Sequence, residues 1–216
     1  MKNDQQVIQI NKLTNEIEHL KSLLNDINWK DTAFYELYLA QTFYYVKHST
    51  RLLALSASRL DFDNHQKSHL RFIAHLKEES GHEAIVLNDL KNLNRDIRSI
   101  PEFFSTKALY QMQYYAVEHH HALSLLGYIL FLECLASMVG PGIYQSIKHH
   151  YKPQQLSFLK LHAEEDPDHV SKAIELIEHY PKELQEIIWQ HFKMSQYFFT
   201  QWFADLKNQQ KLFQVA

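Results

Sequence analysis

The sequence predicts an all-α protein, a single helical bundle of about seven helices spanning residues 1–216. Gly and Pro are scarce, 4 and 5 among 216 residues, whereas strand-and-turn architectures use both at nearly every reversal. Apolar residues recur at three- and four-residue steps through long segments, the signature of amphipathic helices. A chain of this length can bury one substantial core without dividing into two domains.

The first helix is expected within residues 1–28, where Ile10, Leu13, Ile17, Leu20 and Leu24 share a face. Asp31 is a suitable N-cap for a second helix over 31–58. Its apolar face carries Gln41, Tyr45 and His48, and Glu36 falls on the opposite, solvated side. The turn Asp61-Phe62-Asp63-Asn64 opens a third helix over 64–93. Gly81 inside it costs about 1 kcal/mol of helix propensity, which a bulky neighbour approaching there would explain. Ser105 or Thr106 would cap a fourth helix reaching Glu118, and His119, His120 and His121 read as an exposed helix start. An apolar helix follows over 121–140 and ends at Gly140-Pro141-Gly142. After a short piece to Tyr151 come a helix over 154–179 and, with Pro181 at its start, a C-terminal helix over 181–212.

The formal net charge of −3 gives no basic field for nucleic acid. The single cysteine, Cys134, permits no internal disulfide and fits a reducing, cytoplasmic setting. The N-terminus lacks the continuous apolar core of a signal peptide, and no uninterrupted apolar run reaches the ~20 residues of a membrane span.

The chemistry concentrates in His162-Ala163-Glu164-Glu165-Asp166-Pro167-Asp168-His169. On a helix, His162, Asp166 and His169 would lie within about 40° of one another, and two imidazoles with a carboxylate suit iron, manganese or zinc. Asp166-Pro167 can equally be an N-cap and first residue of a new helix, with the histidines incidental. A second copy of the spacing, His75-x-x-x-Glu79-x-x-His82, favours metal. Glu79 and His82 form the ExxH half-site of carboxylate-bridged dimetal bundles, with His75 an extra ligand or a supporting group. Glu133 sits among apolar residues, where an unpartnered carboxylate is costly and calls for a metal, a base or a hydrogen-bonded acid. Gln41, Tyr45 and His48 repeat the same spacing as further candidates for the site or its surroundings. Cys134 reads as packing rather than as a nucleophile.

On these residues the chain resembles the haem-oxygenase-like di-iron oxidases, or iron-containing redox enzymes, whose helical fold is shared by TenA-type proteins and the oxidase PqqC. The resemblance is carried by residues 75–93, 125–141 and 158–177, most specifically by HxxxDxxH as His162, Asp166 and His169. Glu133 matches the family's central glutamate and Glu79 with His82 its Glu/His pair. Its first-helix carboxylate has no counterpart, since Gln41 holds the inward position. The resemblance implies Fe2+, two per chain with manganese as the substitute. It also implies O2 chemistry on a small organic substrate (N-oxygenation, desaturation or C–C cleavage) and a homodimer. The alternatives are a metal-free TenA-type hydrolase using Cys134 and Glu133, a haem-binding module with one axial His, and a non-catalytic binding protein on the same fold.

Overall fold

Leu13, Ile17, Leu20 and Leu24 are each at most 2% exposed, so the heptad-like spacing of the N-terminal segment does define a buried stripe. The computed structural model describes Leu13, Ile17, Glu18 and residues 20–24, 27–164 and 168–213, without side-chain detail at 168, 169 and 210–213. No strand occurs among the described residues.

The expected second helix is two. Helix α1, Thr32–Val46, starts as anticipated at Asp31, whose carboxylate accepts from the Ala33 and Phe34 amides. It stops at a turn over Lys47 and His48, and α2 runs Ser49–Ser58. The expected third helix is also two, α3 (Phe62–Glu79) and α4 (His82–Asn92). Asp61 caps α3 through the Asn64 amide. Gly81 has φ +96° with nothing within 4 Å of where a Cβ would stand. It is therefore present for a left-handed backbone that ends one helix and starts the next, and no bulky neighbour presses on it.

Helix α5, Phe104–His119, begins one residue before the expected caps and uses neither Ser105 nor Thr106 as one. His119 is its last residue and His120 its C-cap, so the three consecutive histidines close this helix rather than opening the next, which starts at Ser124. Helix α6, Ser124–Ile147, runs straight through Gly140-Pro141-Gly142. Proline removes one backbone donor, but packing on both sides of it overrides the local signal. The resulting 24-residue helix is long and apolar enough to cross a membrane by length and composition. Here it is the central strut: Leu130, Phe131 and Cys134 are fully buried, and α5 and the three helices that follow in the chain pack around it.

Helix α7 is Ser157–Glu164, α8 is Asp168–Glu178 and α9 is Lys182–Phe213. Phe192, Phe199, Trp202 and Leu206 of α9 are at most 1% exposed, each contributing about 2–3 kcal/mol by burial. The α6–α9 crossing depends on Gly127, where a Cβ would stand 2.1 Å from the Ile188 carbonyl oxygen. Glu36, expected in solvent, is 7% exposed and paired with Arg95 through Nη2 at 2.5 Å and Nε at 2.7 Å. That pair ties α1 to the segment after α4.

Candidate metal centre and cavity

Helices α3, α4, α6 and α7 bring five candidate ligands together: His75, Glu79, Glu133 and His162 line one cavity, and His82 stands against Glu79. His75 and Glu79 come from the last turn and a half of α3, His82 from the first residue of α4, Glu133 from the middle of α6 and His162 from the last turn of α7. His75 Nε2 lies 3.4 Å from Glu79 Oε1 and 3.5 Å from Glu133 Oε1. His82 Nδ1 lies 3.4 Å from the other Glu79 oxygen. The His82 and His162 rings are 5.1 Å apart, and His162 meets the Phe158 ring edge-on at 4.3 Å. Glu133, expected among apolar groups, thus has an imidazole against it.

The Glu79-x-x-His82 pair works across a helix break and not along one face. Because Gly81 reverses the backbone, both His75 and His82 can flank the same carboxylate. Burial alone would raise the pKa of Glu79. Contacts with His75 and then His82 outweigh that and hold it well below the usual carboxylate range, so Glu79 is an anion. Asp89, a fully buried acid that carries no metal-ligand spacing, holds the start of the helix that bears His162. Its carboxylate accepts from the Phe158 amide at 2.8 Å and so caps α7 from α4. The signal was present: Asp89 occupies the same inward stripe as His82, Val86 and Leu93.

The cavity has a volume of about 130 Å³. Beyond the candidate ligands its walls are apolar and aromatic, including Trp29, Leu52, Ile129, Phe158 and Phe199, with Tyr38, Tyr45 and Tyr128 among them. Tyr45 is therefore at the site, as a wall.

Two further candidates are elsewhere. Gln41 is fully buried, donating to the Pro101 carbonyl at 2.8 Å and accepting from the Phe103 amide at 3.0 Å and the Thr106 hydroxyl at 2.7 Å. Its amide fastens the start of α5 to α1, and no capacity remains for a metal. His48 stacks on Tyr110 at 3.8 Å and bonds the Tyr114 hydroxyl through Nδ1 at 3.0 Å. Burial, then Lys47 and Arg51, push its pKa down to about 4. Cys134 is fully buried, and burial followed by the neighbouring Glu133 charge pushes its thiol up to about 12. It does not line the cavity, so a Cys134 nucleophile has no support. Asp166 falls outside the described residues and the His169 side chain outside the described side chains. The choice between cap and ligand for Asp166 lies there too.

A model of the family described as iron-containing redox enzymes matches residues 36–198, three quarters of the chain. The chain belongs to this family. Two solved structures share the fold over most of the chain. One is a domain of unknown function with a haem oxygenase-like fold from Shewanella denitrificans OS217. It is 20% identical with a TM-score of 0.79, over 95% of this chain and 94% of that one. The other is a TenA homologue from Pseudomonas syringae pv. tomato DC3000. It is 13% identical with a TM-score of 0.69, over 87% and 89%. At these identities the likeness is one of fold. No curated protein sequence matches the chain.

The donors fit the family's iron in kind. Imidazole nitrogen and carboxylate oxygen are the ligands iron takes in non-haem sites, and an anionic Glu79 can offer one oxygen on each side. Among the described residues no three such side chains converge closely enough to hold an ion. The cluster stands as imidazole–carboxylate contacts, which a bound cation would have to draw inward.

Proposed function

We propose that this iron-containing redox enzyme is an oxidase or oxygenase that uses O2 to oxidise a small organic molecule, with two ferrous ions held by Glu79, His82, Glu133, His162, Asp166 and His169. What carries the reading is the position of the candidate ligands: four helices gather three imidazoles and two carboxylates beside a largely apolar cavity, in a chain of this family. Bound iron would supply the one-electron chemistry that lets O2 react with an otherwise inert organic bond.

The chain's own residues define the rest. Glu79 and Glu133 supply the negative charge that two divalent cations require. His75 touches both carboxylates and is suited either to ligate or to orient them. The imidazoles must be neutral to ligate, so iron affinity falls as the pH drops through about 6.5. The aromatic walls exclude bulk water from the reacting end and favour an apolar substrate body.

Anaerobic loading with ferrous iron should give between one and two irons per chain, and addition of oxygen should then consume O2. Asp166→Asn separates ligation from capping, because Asn caps a helix nearly as well as Asp but is a poor, neutral ligand. The expected result is a normally folded protein that loses at least one iron and its oxygen uptake. An Asp166→Asn protein that takes up iron and oxygen like the parent makes Asp166 a cap and removes it from the site.

A further inference from the structure

Three phenols share the cavity with the candidate ligands, and among the described residues none of their hydroxyls has a well-directed hydrogen bond. Tyr45 and Tyr128 are 7% and 3% exposed, and Tyr38 lines the same cavity. No described residue hydrogen-bonds the Tyr128 hydroxyl, and burial, then the nearby Glu79 charge, keep it protonated. Thr42 lies one turn from both Tyr38 and Tyr45 and close to their phenols, yet its own buried hydroxyl makes no properly directed hydrogen bond. Tyr38, Tyr45, Tyr128 and Glu79 all line this one cavity, and the Tyr45 phenol lies within electrostatic reach of the other three. Buried polar groups are ordinarily satisfied, and a cluster of unsatisfied donors around an open space is a binding site for an acceptor.

We propose that the hydroxyls of Tyr38, Tyr45 and Tyr128 form the polar wall of the substrate pocket. The molecule they take is compact and uncharged, with an oxygen acceptor such as a ketone or amide carbonyl beside a hydrocarbon body. This assignment rests on the cavity being the substrate chamber of the proposed oxidase.

Size follows from the volume. A cavity of about 130 Å³ is on the scale of the ~150 Å³ apolar cavity that accepts benzene, so the body is about one ring. Charge follows from the lining, which includes Glu79 and Glu133 but no Lys or Arg. The phenol wall holds no cation of the chain, so its partner is a neutral acceptor, and in the metal-free protein an anion would also meet two carboxylates that nothing offsets. The polarity of the contact follows from the phenols. Burial raises all three pKa values, so they stay protonated and donate.

The test uses the full chain without metal and a matched pair of probes. Acetophenone has the carbonyl; α-methylstyrene has the same shape with a methylene in its place. Titration calorimetry follows both in the parent and in Tyr45→Phe, Tyr128→Phe and the double variant. Comparing variants for each probe cancels the different hydration of the two molecules. One neutral hydrogen bond corresponds to about two- to ten-fold in affinity. Acetophenone should weaken by that factor in each single variant and further in the double. α-Methylstyrene should bind all four proteins alike, which also shows that the cavity survives.

In the parent, the infrared carbonyl band of bound acetophenone should lie below its position in hexane, and benzoate should bind at least ten-fold more weakly than acetophenone. The proposal is overturned if acetophenone does not bind, if its band is unshifted, if benzoate matches it, or if both probes respond equally to Tyr→Phe. Since no iron is present, these outcomes are separate from the oxidase reading, which stands or falls on iron loading and oxygen uptake.

Discussion

Replacing Gln41 by Leu should destabilise the protein by about 2–4 kcal/mol without removing iron. The side chain is fully buried and makes three hydrogen bonds of 2.7–3.0 Å. Each is worth about 1 kcal/mol net, and each partner left buried and unpaired adds to the loss. Pro101 and Phe103 are partly open to water, which lowers that second penalty. Thr106 is not: its hydroxyl also accepts from Trp202 Nε1 at 3.0 Å, so losing Gln41 loosens a fully buried tryptophan. For a chain of this size the change corresponds to a fall in Tm of about 5–15 °C. Urea unfolding of the metal-free protein, at unchanged m-value, measures it, and iron stoichiometry is read on the same preparation.

Gln41→Glu adds a sign to the test. A carboxylate keeps the acceptor for Phe103 and Thr106 but faces the Pro101 carbonyl at 2.8 Å, so its folded pKa rises above the free value of about 4.3. The folded state then binds more protons than the unfolded one. Stability is greatest below about pH 4.3 and declines as pH rises through the folded pKa. A Gln41→Leu loss below 1 kcal/mol, or iron loss without destabilisation, refutes the clamp and returns Gln41 to the metal.

Three further outcomes are expected. Glu133→Gln should lose iron while Cys134→Ser retains it, because the first removes a charge at the cavity and the second alters a thiol that does not face it; elemental analysis of the reconstituted proteins distinguishes them. Asp89→Ala should cost about 2 kcal/mol as the cap of α7 and should also lower iron content by freeing His162, measured by thermal unfolding and iron titration. His48 titrates at about 4 when folded and about 6.5 when free. The unfolded chain therefore gains its proton first, and stability falls as pH drops from about 6.5 towards 4. His48→Phe should flatten that part of the pH–stability curve, and a histidine ring titrating near 6.5 in the folded parent would contradict it.

The sequence by itself determined that the chain is helical, where most helices lie, and which residue types can ligate. Period 3.6 and the caps at Asp31 and Asp61 are local properties, readable in a window of a few residues. So is the chemistry of His75, Glu79, His82, Glu133 and His162, which the fold gathers in and beside one cavity. Only tertiary structure decided where helices break and which inward side chains face the cavity. Gly81 looked like a cost within one helix and is the hinge between two; Pro141 looked like a terminator and is carried through by packing against neighbouring helices. Gln41, Tyr45 and His48 share one spacing, yet one fastens α5, one lines the cavity and one packs on Tyr110. Periodicity reports the face of a helix, but it does not report which neighbour that face meets, and those neighbours include residues 60 or more positions away.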